Sequence, residues 1–187
     1  MRPQAVATKR LILRPLRPSD AGPMTLYASD PRVARMTTSI PHPYPPGAAE
    51  SYIDTRMNGR IDEAVWAIDA TPEGGAELIG LIVHRPRTGK IGYWVGPPFW
   101  NTGFASEALG GLIAHLLASG EETLTASVIA ENAASAHVLE KAGFAETGTG
   151  EMFSVARGSM VPVRRFALDR AGWMEARRKA GTSDEVS

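Results

Sequence analysis

The densest chemical signal in the chain is Ile91-Gly92-Tyr93-Trp94-Val95-Gly96, running into Pro97-Pro98-Phe99-Trp100-Asn101-Thr102-Gly103-Phe104-Ala105-Ser106-Glu107-Ala108. A strand ends, a short loop follows, and a helix begins where Gly103 and Ala105 stand. Small side chains leave the main-chain N–H groups there open to solvent. First-turn amides of a helix lack internal partners, and the helix dipole adds positive potential. Such a start binds anions, and it suits a diphosphate in a chain with no net charge. Neither a phosphate loop with its Gly-Lys-Ser/Thr ending nor a G-x-G-x-x-G pattern followed by an acid occurs. Nucleoside triphosphates and dinucleotides are therefore disfavoured.

A second stretch, Asn132-Ala133-Ala134-Ser135-Ala136-His137-Val138-Leu139-Glu140-Lys141-Ala142-Gly143-Phe144, begins with a residue suited to capping a helix. It closes on a glycine stop and an aromatic. Ser135 stands one turn further on, on the side that Asn132 faces. It reads either as a small packing residue or as a hydroxyl with a chemical task.

Other titratable residues are dispersed. His42, His84, His115 and His137 show no H-E-x-x-H spacing and have no cysteine beside them, so no metal site is expected. Glu107 is a candidate base, although an acid in a first helical turn also complements the dipole. Glu77 and Glu151 are further candidates that also read as solvated. Tyr93 suits a water relay or a half-buried strand position. Trp66, Trp94 and Trp100 read as core or cleft wall, and Arg32 and Arg35 as a solvated face or the lining of an acceptor path.

The elements that must position these residues follow from the periodicity. Leu11, Leu13 and Leu16 interleave with Arg10, Arg14 and Arg17, which predicts a half-exposed strand ending at Pro15 or Pro18. Ser19 or Asp20 can cap a helix through about Ser29, and Asp30-Pro31 restarts a short one. Met36 to Gly47 is a proline-rich loop, and a helix follows over about Ala48 to Asn58. Strands at Ala64 to Asp69, about Glu77 to Arg85, and Lys90 to Gly96 form an antiparallel meander. Ala105, Ala108, Leu109, Leu112, Ile113, Leu116 and Leu117 then recur at helical spacing. Thr123 to Ile129 is a β-branched strand and Ala133 to Ala142 a helix. Phe144 to Thr149 and Val161 to Leu168 finish the sheet. A polar helix and frayed tail occupy 171–187 beyond a single domain at 8–170.

The 187 residues carry 20 basic and 20 acidic side chains and no cysteine. Balanced charge leaves no global field for nucleic acid or an anionic membrane. Without cysteine, disulfides, thiolate metal sites and cysteine nucleophiles are excluded. Residues 1–9 lack the apolar core of a signal peptide, and no apolar run approaches the roughly 20 residues of a membrane span. The expectation is a cytoplasmic globular protein.

Together and about 30 residues apart, the two stretches resemble the GNAT acetyltransferase superfamily. The glycine-bearing loop matches its pyrophosphate-binding signature, and Asn132 to Phe144 matches its second conserved segment. Arg10-Leu11-Ile12-Leu13-Arg14-Pro15-Leu16 with Ser19-Asp20, Pro43-Tyr44-Pro45, and Ile91-Gly92-Tyr93-Trp94 resemble the ribosomal-protein N-terminal acetyltransferase branch. The likeness spans roughly Thr8 to Arg170. It implies an α+β, three-layer fold of the acyl-CoA N-acyltransferase type: a mixed, mainly antiparallel central sheet, helices on both faces, splayed in the middle.

The resemblance further implies acetyl-CoA as cosubstrate and direct transfer to an amine acceptor, either a protein N-terminus or a small amine. The backbone of Val95 would hold the pantetheine arm and polarise the thioester carbonyl. Amides of Asn101, Thr102, Gly103, Phe104, Ala105 and Ser106 would cradle the pyrophosphate. Asn132 would bind the pantetheine, and Ser135 would approach the sulfur as the catalytic hydroxyl. The acceptor would meet the first two helices, the Pro41 to Pro46 loop and the hairpin around Met152 to Val161. Two departures stand out. Trp100 replaces a family Gln or Arg, removing a side-chain donor, and Leu139 replaces a general-acid tyrosine, so the acid for the leaving thiolate is Ser135, a water, or unnecessary. Leu139 and the unassigned base keep open an acyl-CoA-binding module that performs no transfer.

Overall fold

The computed structural model describes residues 3–59 and 61–184. Leu11 and Leu13 are fully buried and carry β2 (Ile12–Pro15) into the sheet, with β1 (Val6–Ala7) outside it. The meander follows as β3 (Ala64–Asp69), β4 (Gly80–Arg85) and β5 (Lys90–Val95). With β6 (Thr123–Ile129), β7 (Ala145–Ser154) and β8 (Ser159–Asp169), the sheet order is β1-β2-β3-β4-β5-β6-β8-β7. Every neighbouring pair is antiparallel except β5 and β6.

Helices cover both faces. On one, α4 (Phe104–Ala118) and α5 (Ala133–Lys141) pack Leu109, Leu112, Ile113 and Leu139 against Ile68, Ile82, Ile91 and Phe166. On the other, α1 (Ala21–Ala28) and α3 (Ala48–Met57) place Met24, Ala49 and Ile53 on Val65, Ala67 and Leu81. The short α2 (Pro31–Ala34) starts as expected, with Asp30 accepting from Arg32 N–H. None of the described helices is long and apolar enough to cross a membrane.

Three expectations are corrected. Arg14 does not face solvent: it is 4% exposed, between Asp20 at 1% and Asp69 at 4%. Its Nε reaches Asp69 at 2.7 Å and its Nη2 reaches Asp20 at 2.8 Å. Asp20 therefore does not cap α1. Its carboxylate turns back to Arg14 and to Arg17 N–H, and α1 has no side-chain cap. The final hairpin is longer than predicted, because one face of β7 is exposed and its inward side carries Gly150 before Met152, hiding the apolar alternation. The polar helix α6 (Arg170–Asp184) is anchored by Trp173 on the α4-side core; the frayed end expected beyond it falls on residues outside those described.

Candidate functional site

The parallel pair β5 and β6 is joined at Lys90↔Thr125 and Ile91↔Ala126, and beyond Ile91 the strands part. Antiparallel ladder bonds alternate in direction along a strand. Gly96 N–H donates to Ile79 C=O on the β4 side, so the N–H and C=O of Val95 and Tyr93 turn the other way, into the gap. The Val95 carbonyl is taken by the indole N–H of Trp100 at 2.7 Å. Trp100 thus brings a side-chain donor to the loop after all. It pins the strand end and leaves the Val95 N–H facing the gap.

A cavity of about 620 Å³ fills this opening and reaches both faces of the sheet. Tyr93, Asn132, Ser135 and Leu139 line it on the α5 side; Tyr44, Tyr52, Arg56 and Trp94 line it on the α3 side. Gly92 lies in its floor, and a Cβ added there would meet nothing within 4 Å. Further walls come from Met24 of α1, the 36–41 loop, Tyr44, α3 and Met152 of β7. The second helix stays out of the wall, because Val33 and Ala34 pack in a separate cluster with Ala28 and Ile40. The third helix takes its place.

The loop into α4 is built as a cradle. After a 3-10 turn at Pro97–Phe99, Asn101 has φ 60° and Gly103 φ 80°, both left-handed. That conformation is easy for glycine, and it turns the chain so that α4 starts with no side-chain cap. The Thr102 hydroxyl donates to Phe99 C=O at 2.6 Å, and the Phe104 N–H reaches it only at 3.4 Å. The amides of Ala105 and Ser106 are among the first-turn donors that helical bonding cannot satisfy. The Tyr27 ring holds the loop from α1, edge-on to Phe99 with centroids 5.5 Å apart.

Arg10, absent from the sequence-derived site, lies against this cradle. Its Nη1 donates to Thr102 C=O at 3.0 Å, its guanidinium is 4.6 Å over the Phe104 ring, and a Cβ on Gly103 would stand 3.3 Å from Nη2. Glu107 holds it there. The Glu107 carboxylate accepts from the Thr8 hydroxyl at 2.6 Å, Arg10 N–H at 2.6 Å and Arg10 Nε at 2.7 Å. Burial raises the pKa of Glu107, but these donors outweigh it and hold the carboxyl below its usual range. It clamps the N-terminal segment to α4 and does not line the cavity, which removes it as a base.

Asn132 caps α5: its Oδ1 accepts from Ser135 N–H at 3.1 Å, and its Nδ2 reaches Met36 C=O at 3.5 Å. The Ser135 hydroxyl donates to Tyr93 Oη at 3.0 Å, and the Tyr93 hydroxyl donates to Ser135 C=O at 3.1 Å. Burial pushes the Tyr93 pKa up to about 12, against a small opposing effect of the bond from Ser135. Leu139 is fully buried beneath them. Glu77 and Glu151 are exposed and away from the cavity, and His137 is on the exposed side of α5. Among the described residues, no group of three or more His, Asp or Glu is placed to hold a metal ion.

These features fit a diphosphate at the start of α4 and an extended polar arm in the gap. The family model described as the GNAT acetyltransferase domain matches residues 10–145. The chain is 28% identical over 170 residues to the N-acetyltransferase p20 of Bacillus licheniformis, covering 88% of this chain and 96% of that one. Among solved structures, Mycobacterium smegmatis RimJ in complex with CoA-disulfide has a TM-score of 0.78 at 21% identity, covering 96% of this chain and 95% of that one. RimL, a ribosomal-protein alpha-N-protein acetyltransferase in complex with coenzyme A, has a TM-score of 0.75 at 16% identity, covering 89% and 98%.

Proposed function

The chain belongs to the GNAT acetyltransferase family, and from that premise we propose that it transfers acetyl from acetyl-CoA to the α-amine of a protein N-terminus. The observation that carries the reading is the single cavity crossing the sheet where β5 leaves β6. It gives two ligands access to one point from opposite faces. Transfer then needs no covalent enzyme intermediate, in keeping with a chain that has no cysteine. The α-amine is favoured by the likeness to RimJ and RimL and by the branch motifs of the opening strand and the Pro43-Tyr44-Pro45 loop.

Acetyl-CoA supplies an activated thioester when bound. The amides from Asn101 to Ser106, with the Arg10 guanidinium beside Gly103, would hold its diphosphate, and Asn132 would use its second amide proton on the pantetheine arm. Val95 N–H is the donor placed for an oxygen on which negative charge develops. Ser135 is the catalytic hydroxyl: its proton rests on Tyr93 Oη, a turn about its side chain would bring that proton to the sulfur, and solvent would replace it. A thiolate with a pKa of about 8.5 leaves readily, so Ser135 only has to return a proton to it. Glu63 is the one carboxylate in the described cavity wall, and it is held by two arginines, so the ammonium proton leaves to solvent.

The test is thiol release from acetyl-CoA with a panel of N-terminal peptides and small amines, the product identified by mass. Acetylation at the peptide α-amine is expected. Transfer to small amines alone would overturn the N-terminal assignment. CoA binding with no transfer to any amine would favour a binding module.

A further inference from the structure

The α3 side of the cavity carries more positive charge than amine transfer requires. Arg56 of α3, Arg85 of β4 and Lys90 of β5 line it, against Glu63 as the only carboxylate among the described lining residues. Glu63 is already shared, its Oε2 taking Arg56 Nη2 at 2.9 Å and its Oε1 taking Arg85 Nε at 2.7 Å. Lys90 is half-buried, and its Nζ meets the thioether of Met152 at 3.8 Å with no carboxylate partner among the described residues. Burial lowers its pKa, and Arg85 and Arg165 act in the same direction. The Arg56 guanidinium stacks 3.4 Å from the Tyr52 ring centre, with a buried Nε–H that has no acceptor among the described residues.

A partly desolvated ammonium near the Arg85 and Arg165 guanidinium groups, with no carboxylate partner of its own among the described residues, is costly unless a negative charge joins it. The arrangement is ordered along the sheet. Arg85 and Lys90 are register partners, and Lys90, Gly92 and Trp94 alternate onto the same face. Lys90 therefore lies roughly 7 Å along the strand from the bare floor at Gly92, beside the sheet opening. An ammonium alone would be repelled from this wall, so the amine cannot be what these cations recognise.

We propose that Lys90, with Arg85 and Arg56, forms an anion subsite for the acceptor: the acetylated amine belongs to a molecule that also carries a carboxylate or phosphate. That group rests at Lys90 while the amine lies over Gly92 toward the gap. The inference rests on the transferase reading of the cavity. The same chemistry is offered by an acidic residue near the start of a peptide and by a small amine bearing a phosphate or carboxylate.

The experiment uses matched acceptors with the full chain and acetyl-CoA: a peptide with aspartate in second place against its asparagine twin, and an aminoalkyl phosphate against the parent amino alcohol. Each anionic member should exceed its twin in kcat/KM by about tenfold or more, through KM. Lys90→Gln should bring that ratio toward one, and Lys90→Arg should restore it. The pair with the larger ratio identifies the source of the anion. A wild-type ratio near one for both pairs, or a ratio that Lys90→Gln leaves intact, overturns the subsite while the transferase reading stands. If no acceptor releases thiol, that reading fails separately, and calorimetry on the same pairs decides the subsite. Tighter binding of the anionic twin supports it, and equal binding overturns it.

Discussion

Ser135 owes its orientation to two neighbours: Asn132 fixes its main-chain N–H and Tyr93 takes its hydroxyl proton. Ser135→Ala should lower kcat about tenfold, less than a full general-acid loss because the thiolate is a good leaving group. Calorimetric affinity for acetyl-CoA should be unchanged, and an unchanged kcat would remove Ser135 from the reaction. Tyr93→Phe should cost less, and it should leave the shape of the pH–rate profile intact between about pH 6 and pH 10. Tyr93, pushed up to about 12, keeps its proton throughout that range, so the rising limb belongs to the acceptor amine. A limb displaced in Tyr93→Phe would show that Tyr93 titrates. At this scale the sequence was partly legible. Ser135 and the cradle residues are marked by local spacing. Arg10 is not, since its distance from Gly103 is set by long-range strand packing. The Tyr93–Ser135 pair likewise joins residues 42 apart in the chain.

The start of α4 depends on a left-handed residue at Gly103, which makes two effects separable by substitution. Gly103→Ala introduces backbone strain of roughly 1–2 kcal/mol and a methyl 3.3 Å from Arg10 Nη2. Gly103→Asp adds a carboxylate where the diphosphate is proposed to sit. Isothermal calorimetry should show acetyl-CoA binding about tenfold weaker or worse in the aspartate variant, and distinctly less affected in the alanine variant. Equal losses would mean that shape alone matters there and that no anion occupies the cradle. Elements with a strong single period were readable in full: α4 through Leu109, Leu112, Ile113 and Leu116, and the meander through its turns. The last hairpin was under-read because a strand with one exposed face and glycines on the other shows no clean alternation.

Across the whole molecule, Arg14 joins β2, β3 and the turn before α1 by neutralising two carboxylates that are otherwise out of water. Burial raises the pKa of Asp69, but the Thr71 hydroxyl, the Arg14 guanidinium and the Thr71 N–H prevail and hold it below the usual carboxylate range. Its contribution is therefore complete above the unfolded value and is lost as pH falls through the folded one. Arg14→Met should destabilise by about 3–5 kcal/mol at neutral pH, since two buried charges lose their partner. The difference from wild type in urea midpoint should hold down to about pH 5 and narrow below about pH 4. A constant difference across that range would contradict the role of Asp69. The alternation of the opening segment could not reveal this, because a buried arginine and a solvated one look alike until their acidic partners are placed. The two-pair seam between β5 and β6 has a consequence of its own. The sheet is in effect two panels, and a molecule threaded between them would supply the cross-links that the missing ladder does not. With coenzyme in the gap as proposed, each departure of the spent molecule would loosen the join, and the sheet would be complete only while loaded.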